Sequence, residues 1–137
     1  LFGSYSDDGL KGGGQSDLIL GSLGADTLGG GGGADTFRYD EAADSTSASM
    51  DEIIDFTPGS DKIDLSRVDA DSGAAGNQAF SWIGSNAFGG SAGQLRAYEQ
   101  GGTWYVEGDT DGDSVADLVI ALTLQGPTAL GAGDFFL

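Results

Sequence analysis

Four aspartates stand nine residues apart, at Asp8, Asp17, Asp26 and Asp35. An ionised carboxylate offers hard anionic oxygens and no proton, so a regular column of them suits the holding of a hard cation. Two further columns keep the same period. Glycine stands at Gly3, Gly12, Gly21 and Gly30, and an apolar residue at Leu10, Ile19, Leu28 and Phe37. Glycine permits turns tight enough to aim several backbone carbonyls at one point. Carbonyls and carboxylates together could supply the roughly six to eight oxygens that Ca²⁺ takes.

Composition narrows the chemistry further. The 137-residue chain carries 22 acidic residues against 5 basic ones, a formal net charge of −17. Nucleic acid and anionic membrane surfaces call for Lys/Arg stripes and are not expected partners. Clustered carboxylates repel one another and destabilise a compact state, a cost that a bound divalent ion removes. There is no Cys and no His. Disulfides, thiolate and imidazole zinc sites, and Ser-His-Asp or Cys-His catalysis are therefore excluded. Carboxylate-pair chemistry survives in principle, but no catalytic residue is expected in this chain. The longest apolar run, around Leu118–Leu124, has the length of a strand and falls well short of the roughly 20 residues of a membrane-spanning helix. Membrane insertion is not expected.

The elements that would position the columns follow from the period. In register the repeats read Gly3–Lys11, Gly12–Leu20, Gly21–Gly29 and Gly30–Arg38. Each pairs a glycine-rich turn with a short strand that points one apolar side chain inward. A flexible linker has no reason to keep the aspartate and apolar columns in phase. One apolar side chain per nine residues cannot offset the entropy of ordering nine backbones, and glycine loses the most. The repeats are thus expected to be disordered without Ca²⁺ and to fold on binding it. The Gly/Asp-rich composition gives way to an ordinary β alphabet near Tyr39. The chain divides on this reading into residues 1–44 and 45–137.

The pattern resembles the G-G-x-G-x-D-x-U-x nonapeptide of RTX parallel β-rolls, in which two repeats make one coil. The resemblance implies calcium bound by backbone carbonyls of the turns and by the aspartates. The implied ligand set is Gly3, Asp8, Gly12, Gly13, Gln15, Asp17, Gly21, Ser22, Gly24, Asp26, Gly30, Gly31, Gly33 and Asp35. Turns 18 residues apart should stack, placing ions between 3–8 and 21–26, between 12–17 and 30–35, and between 21–26 and 39–44. Ser4, Ser6, Gln15 and Ser22 depart from glycine.

Downstream, the segments Ala34–Tyr39, Asp51–Phe56 and Asp61–Ser66 resemble the C-terminal domain of serralysin-type M10 secreted metalloproteases. That resemblance implies an all-β chain, a parallel β-roll followed by an antiparallel β-sandwich, with Asp44 and Asp51 as the last calcium ligands. Strands are expected at Ile53–Phe56, Lys62–Leu65, Ala79–Ile83, Gln94–Glu99, Thr103–Glu107, Leu118–Leu122 and Phe135–Leu137. Gly101-Gly102 signals a hairpin. Phe80, Trp82, Phe88, Tyr98, Trp104 and Tyr105 are expected to fill the core. The loop Asp109-Thr-Asp-Gly-Asp113, followed by Asp117, reads either as a further Ca²⁺ site through Asp109, Asp111 and Asp113 or as an acidic hairpin turn.

The ending Gly133-Asp134-Phe135-Phe136-Leu137 is similar to that of type I secretion substrates. It implies export through an ABC-type apparatus and an extracellular location. The resulting expectation is a non-catalytic module of a larger secreted bacterial protein, carrying its secretion signal and calcium ions alongside an N-terminal catalytic or functional domain, such as that of a metalloprotease or other hydrolase. The alternative is a carbohydrate-binding or adhesive module of an extracellular polysaccharide-modifying enzyme. Coplanar, exposed Trp82 and Trp104 would favour it.

Overall fold

The structure, a computed structural model, describes all residues from Leu1 to Leu137. The nine-residue period generates strands that alternate between two sheets. β1 (Gly9–Gly13) and β3 (Thr27–Gly31) lie in one, and β2 (Leu18–Ile19) and β4 (Thr36–Arg38) in the other. Pairing is parallel and in the 18-residue register, with Gly9 beside Thr27 and Leu18 beside Thr36. Two repeats therefore make one coil.

The coils continue past the regular repeats. β5 (Asp51–Phe56) pairs in parallel with β3, and β6 (Lys62–Asp64) pairs in parallel with β4. The short β7 (Ser81–Trp82) is followed by β8 (Gln94–Gln100), β9 (Thr103–Asp109), β10 (Leu118–Leu124) and β11 (Phe135–Phe136). One sheet runs β1-β3-β5-β10-β9-β8-β7, the other β11-β6-β4-β2. Antiparallel pairing is confined to β8, β9 and β10. Gly101 and Gly102 turn the β8–β9 hairpin with φ of 62° and 85°, both left-handed as a type I′ turn requires. All seven strands expected downstream form, with no end shifted by more than two residues.

A single core joins the layers. It runs from Ile19 and Leu28 through Phe37, Ile53, Phe56 and Ile63 to Leu118, Ile120 and Phe135, crossing residue 44 without a break. The aromatic residues expected to fill it divide into three groups. Phe80 is buried. Trp82 and Trp104 are half-buried against the core rather than inside it, and Trp82 packs on Phe135 at 5.1 Å between ring centroids. Tyr98 and Tyr105 lie on the outer face of β8 and β9, because Leu95, Ala97 and Val106 take the inward positions of the alternation. There the Arg96 guanidinium lies 4.5 Å from the centroid of Tyr98 and 5.4 Å from that of Phe88.

Candidate metal centre

Asp26 and Asp35 each use one carboxylate oxygen to stitch coils together. The Asp8 amide donates to Asp26 Oδ1 at 2.8 Å, and the Asp17 amide to Asp35 Oδ1 at 2.9 Å. The stitches continue beyond the repeats. Asp26 N–H donates to Asp51 Oδ1 at 2.9 Å, and Asp35 N–H to Asp61 Oδ1 at 3.0 Å. Each bond has a backbone companion, for example Thr27 N–H to the Asp8 carbonyl at 2.8 Å. Two ladders result, Asp8–Asp26–Asp51 and Asp17–Asp35–Asp61.

The other oxygen is left over. Oδ2 of Asp26, Asp35 and Asp51 is buried and has no hydrogen-bond partner. A buried anionic oxygen without a partner is costly unless a cation or a proton compensates it. First-position glycines face two of these atoms. A Cβ on Gly21 would meet the Asp26 carboxylate, and one on Gly30 the Asp35 carboxylate. A Cβ on Gly12 would stand 2.5 Å from both Asp17 Oδ2 and the Gly30 carbonyl, and one on Gly3 would meet the Gly21 carbonyl. Glycine thus leaves a cradle whose nearest polar atoms are carboxylate and carbonyl oxygens. Such a donor set fits calcium and offers nothing to a thiolate- or imidazole-seeking metal.

Protonation follows the same geometry. Burial pushes the Asp26 and Asp35 carboxyls above the ordinary range, reinforced by neighbouring carboxylates and only partly offset by the stitch hydrogen bonds. Burial takes Asp51 to about 7, with the Asp26 and Asp44 carboxylates adding to the rise. Asp8 moves the other way, because the Ser4 amide and hydroxyl donate to its Oδ2 at 2.6 and 2.9 Å. The outermost turn satisfies its own carboxylate. Tyr39 is fully buried beside Asp51, and burial drives its hydroxyl upward.

The remaining expected ligands have varied surroundings. Gly24 and Gly33 have φ of 130° and 117°, and a Cβ on either would stand 2.7 Å from the Ser6 or Gln15 carbonyl of the coil below. Ser6 and Gln15 are themselves exposed and keep their side chains in solvent. Ser22 takes a left-handed φ of 72°, as Gly31 does at 89° one repeat later. The Gly13 carbonyl accepts from Gly32 N–H at 2.7 Å, tying turn to turn. Asp51, rather than Asp44, takes the next place in the column above Asp26. Asp44 is buried nearby, its Oδ2 accepting from the Asp40 and Glu41 amides at 2.9 and 3.0 Å.

Two residues of this framework were not among the expected ligands. Asp61 ends the second ladder, its Oδ2 accepting from Thr57 N–H at 2.8 Å. The signal was present, since Asp61-Lys-Ile63 repeats the Asp-x-apolar spacing of Asp35-Thr-Phe37 and Asp51-Glu-Ile53. Asp55 accepts from both Gly30 and Gly31 amides at 2.9 Å and pins β5 to the last glycine turn. No column marks it.

Away from the roll, one carboxylate oxygen each from Asp109, Asp111, Asp113 and Asp117 lie within 4.8 Å of one another in the loop joining β9 to β10. Asp109 is buried and already accepts from the Asp111, Gly112 and Ser114 amides. The Asp113 amide pulls Asp111 down, but desolvation and the Asp113 and Asp117 carboxylates outweigh it, for a net rise.

The family described as peptidase M10, serralysin C terminal, matches residues 5–136. Metalloprotease AprA of Pseudomonas entomophila is 43% identical over 94 residues, which are 66% of this chain and 18% of that protein. The chain thus spans under a fifth of that relative's length. Among solved structures, the AlgE6R2 subunit of the Azotobacter vinelandii mannuronan C5-epimerase aligns with a TM-score of 0.64 at 28% identity, covering 98% of this chain and 90% of that one. The AlgE6R3 subunit of the same enzyme aligns with a TM-score of 0.58 at 26% identity, covering 98% and 80%.

Proposed function

The chain belongs to the peptidase M10 serralysin C-terminal family, and on that footing we propose that it is a non-catalytic module that folds on calcium and carries the type I secretion signal of a larger secreted bacterial protein. A hydrolase such as a serralysin-like metalloprotease is the parent that the AprA likeness favours. The observation that carries the calcium reading is the set of three buried, unpartnered carboxylate oxygens on Asp26, Asp35 and Asp51. Residues 1–44 would supply the repeat turns, closed by Asp44 and Asp51, and residues 45–137 the cap. Asp109, Asp111 and Asp113, joined by Asp117, are a lesser candidate for a separate ion.

Export follows from the same chemistry. Without calcium the acidic turns repel one another and stay open, which suits passage through a channel. The C-terminal segment supports this order of events. Phe135 is buried, Leu137 packs against the core and Asp134 accepts from the Gly59 and Gly131 amides. A secretion apparatus reading this tail would have to do so before the chain folds.

Isothermal titration with CaCl₂ tests the reading. Saturable binding at several sites is expected, with a Kd of about 10⁻⁴–10⁻³ M, as in extracellular modules. The variant D26N/D35N keeps an oxygen for each stitch but removes the charge from the cradle, and should lose binding at those turns. Absence of calcium binding, nanomolar affinity, or an unchanged isotherm in the variant would overturn it.

A further inference from the structure

We propose that Ser45 is the positioning residue through which the antiparallel cap sets the geometry of one ion-binding ladder and not the other. The proposal rests on the calcium reading above. Ser45 is fully buried, in the stretch between the last repeat and β5. Its hydroxyl accepts from Asp51 N–H at 2.9 Å and donates to the Val119 carbonyl of β10 at 2.5 Å. Its carbonyl accepts from Val119 N–H at 3.0 Å. Residues 74 positions apart are thus joined on one side chain and one peptide.

The consequence lies in what Asp51 does next. Its Oδ1 holds the Asp26 amide, Asp26 Oδ1 holds the Asp8 amide, and the unpartnered Oδ2 of Asp26 faces Gly21 while that of Asp51 is buried on the rung above. Each rung on this side bonds through its amide to the carboxylate above it, and the amide of the top rung bonds to Ser45. The second ladder ends differently. Asp61 is held by the Thr57 amide within its own turn and makes no bond to β10. A hydroxyl is needed at position 45 because the group must accept from one amide and donate to one carbonyl at once, which alanine cannot do and a carboxylate would do only when protonated. Removing it leaves two buried backbone groups without partners on the Asp51 side alone.

The test compares the full chain with Ser45→Ala and Ser45→Thr at saturating calcium, reading residue-resolved amide exchange by NMR alongside calcium titration. In Ser45→Ala the Asp8, Asp26 and Asp51 amides should exchange about tenfold faster or more, the scale of one lost buried hydrogen bond, while the Asp17 and Asp35 amides keep their protection. Calcium affinity should fall for part of the sites only, and Ser45→Thr should restore both readouts. If Ser45→Ala does not fold, Ser45→Cys, close in size and a weaker partner, should show the same asymmetry in smaller measure. Equal loss in both ladders, or no loss in either, overturns the proposal. Absence of calcium binding by the unaltered chain would instead overturn the reading on which it rests.

Discussion

Gly31→Ala is expected to destabilise the calcium-loaded protein by about 3 kcal/mol, while Gly59→Ala costs only about 1–2 kcal/mol. The two glycines share a backbone conformation, with φ of 89° and 88°. A left-handed alanine is strained equally at either. They differ in what a Cβ would meet. At Gly59 nothing lies within 4 Å, whereas at Gly31 the new carbon would run into the Gly13 carbonyl of the neighbouring coil. That carbonyl is fixed by its bond from Gly32 N–H and cannot retreat. The extra cost at Gly31 is therefore the cost of parting two coils, and it should be accompanied by weaker calcium binding. Urea midpoints at saturating calcium measure the difference. Equal shifts for the two variants would mean that coil stacking does not require glycine at this position.

Acid should partly substitute for calcium. In the ion-free folded chain Asp51 titrates near 7, chiefly because it is buried, whereas in the unfolded chain it behaves as an ordinary carboxyl near ~3.9. Between those values the folded state holds a proton that the unfolded state lacks. The raised group contributes stability that is fully present below the unfolded value and is lost as pH rises through about 7. Asp26 and Asp35 shift in the same direction for the same reason. In excess EGTA the β signal should therefore grow as pH falls from about 8 to about 5, and Asp51→Asn should flatten most of that dependence. A calcium-free spectrum that is constant over this range, or that loses β content on acidification, would contradict the burial of these carboxylates.

The part of the fold written in the nine-residue period was legible directly. Strand alternation, the 18-residue register and the facing of Gly21 with Asp26 and Gly30 with Asp35 all follow from columns that repeat without insertion. The continuation was legible only in part. Asp51-x-Ile53 and Asp61-x-Ile63 preserve the Asp-x-apolar spacing, but they lie 25 and 26 residues above their partners, so counting in nines led to Asp44. Ser45 and Asp55 were illegible for a different reason. Their partners are set by which strands meet in space, and no local pattern records that a serine before β5 will touch β10. The aromatic residues show the limit of type alone. Trp82 and Tyr98 are both large aromatics, yet the alternation within a strand decides which face a residue takes, and the inner places on the strand of Tyr98 went to Leu95 and Ala97.

The central claim is that the buried oxygens of Asp26, Asp35 and Asp51 make the coils depend on a cation. Far-UV circular dichroism of the full chain near neutral pH, first in excess EGTA and then through a CaCl₂ titration, tests it most directly. The account predicts a largely disordered spectrum for the repeats in EGTA, with β structure appearing cooperatively as calcium is added. A β spectrum already complete in EGTA and unchanged by calcium would contradict it.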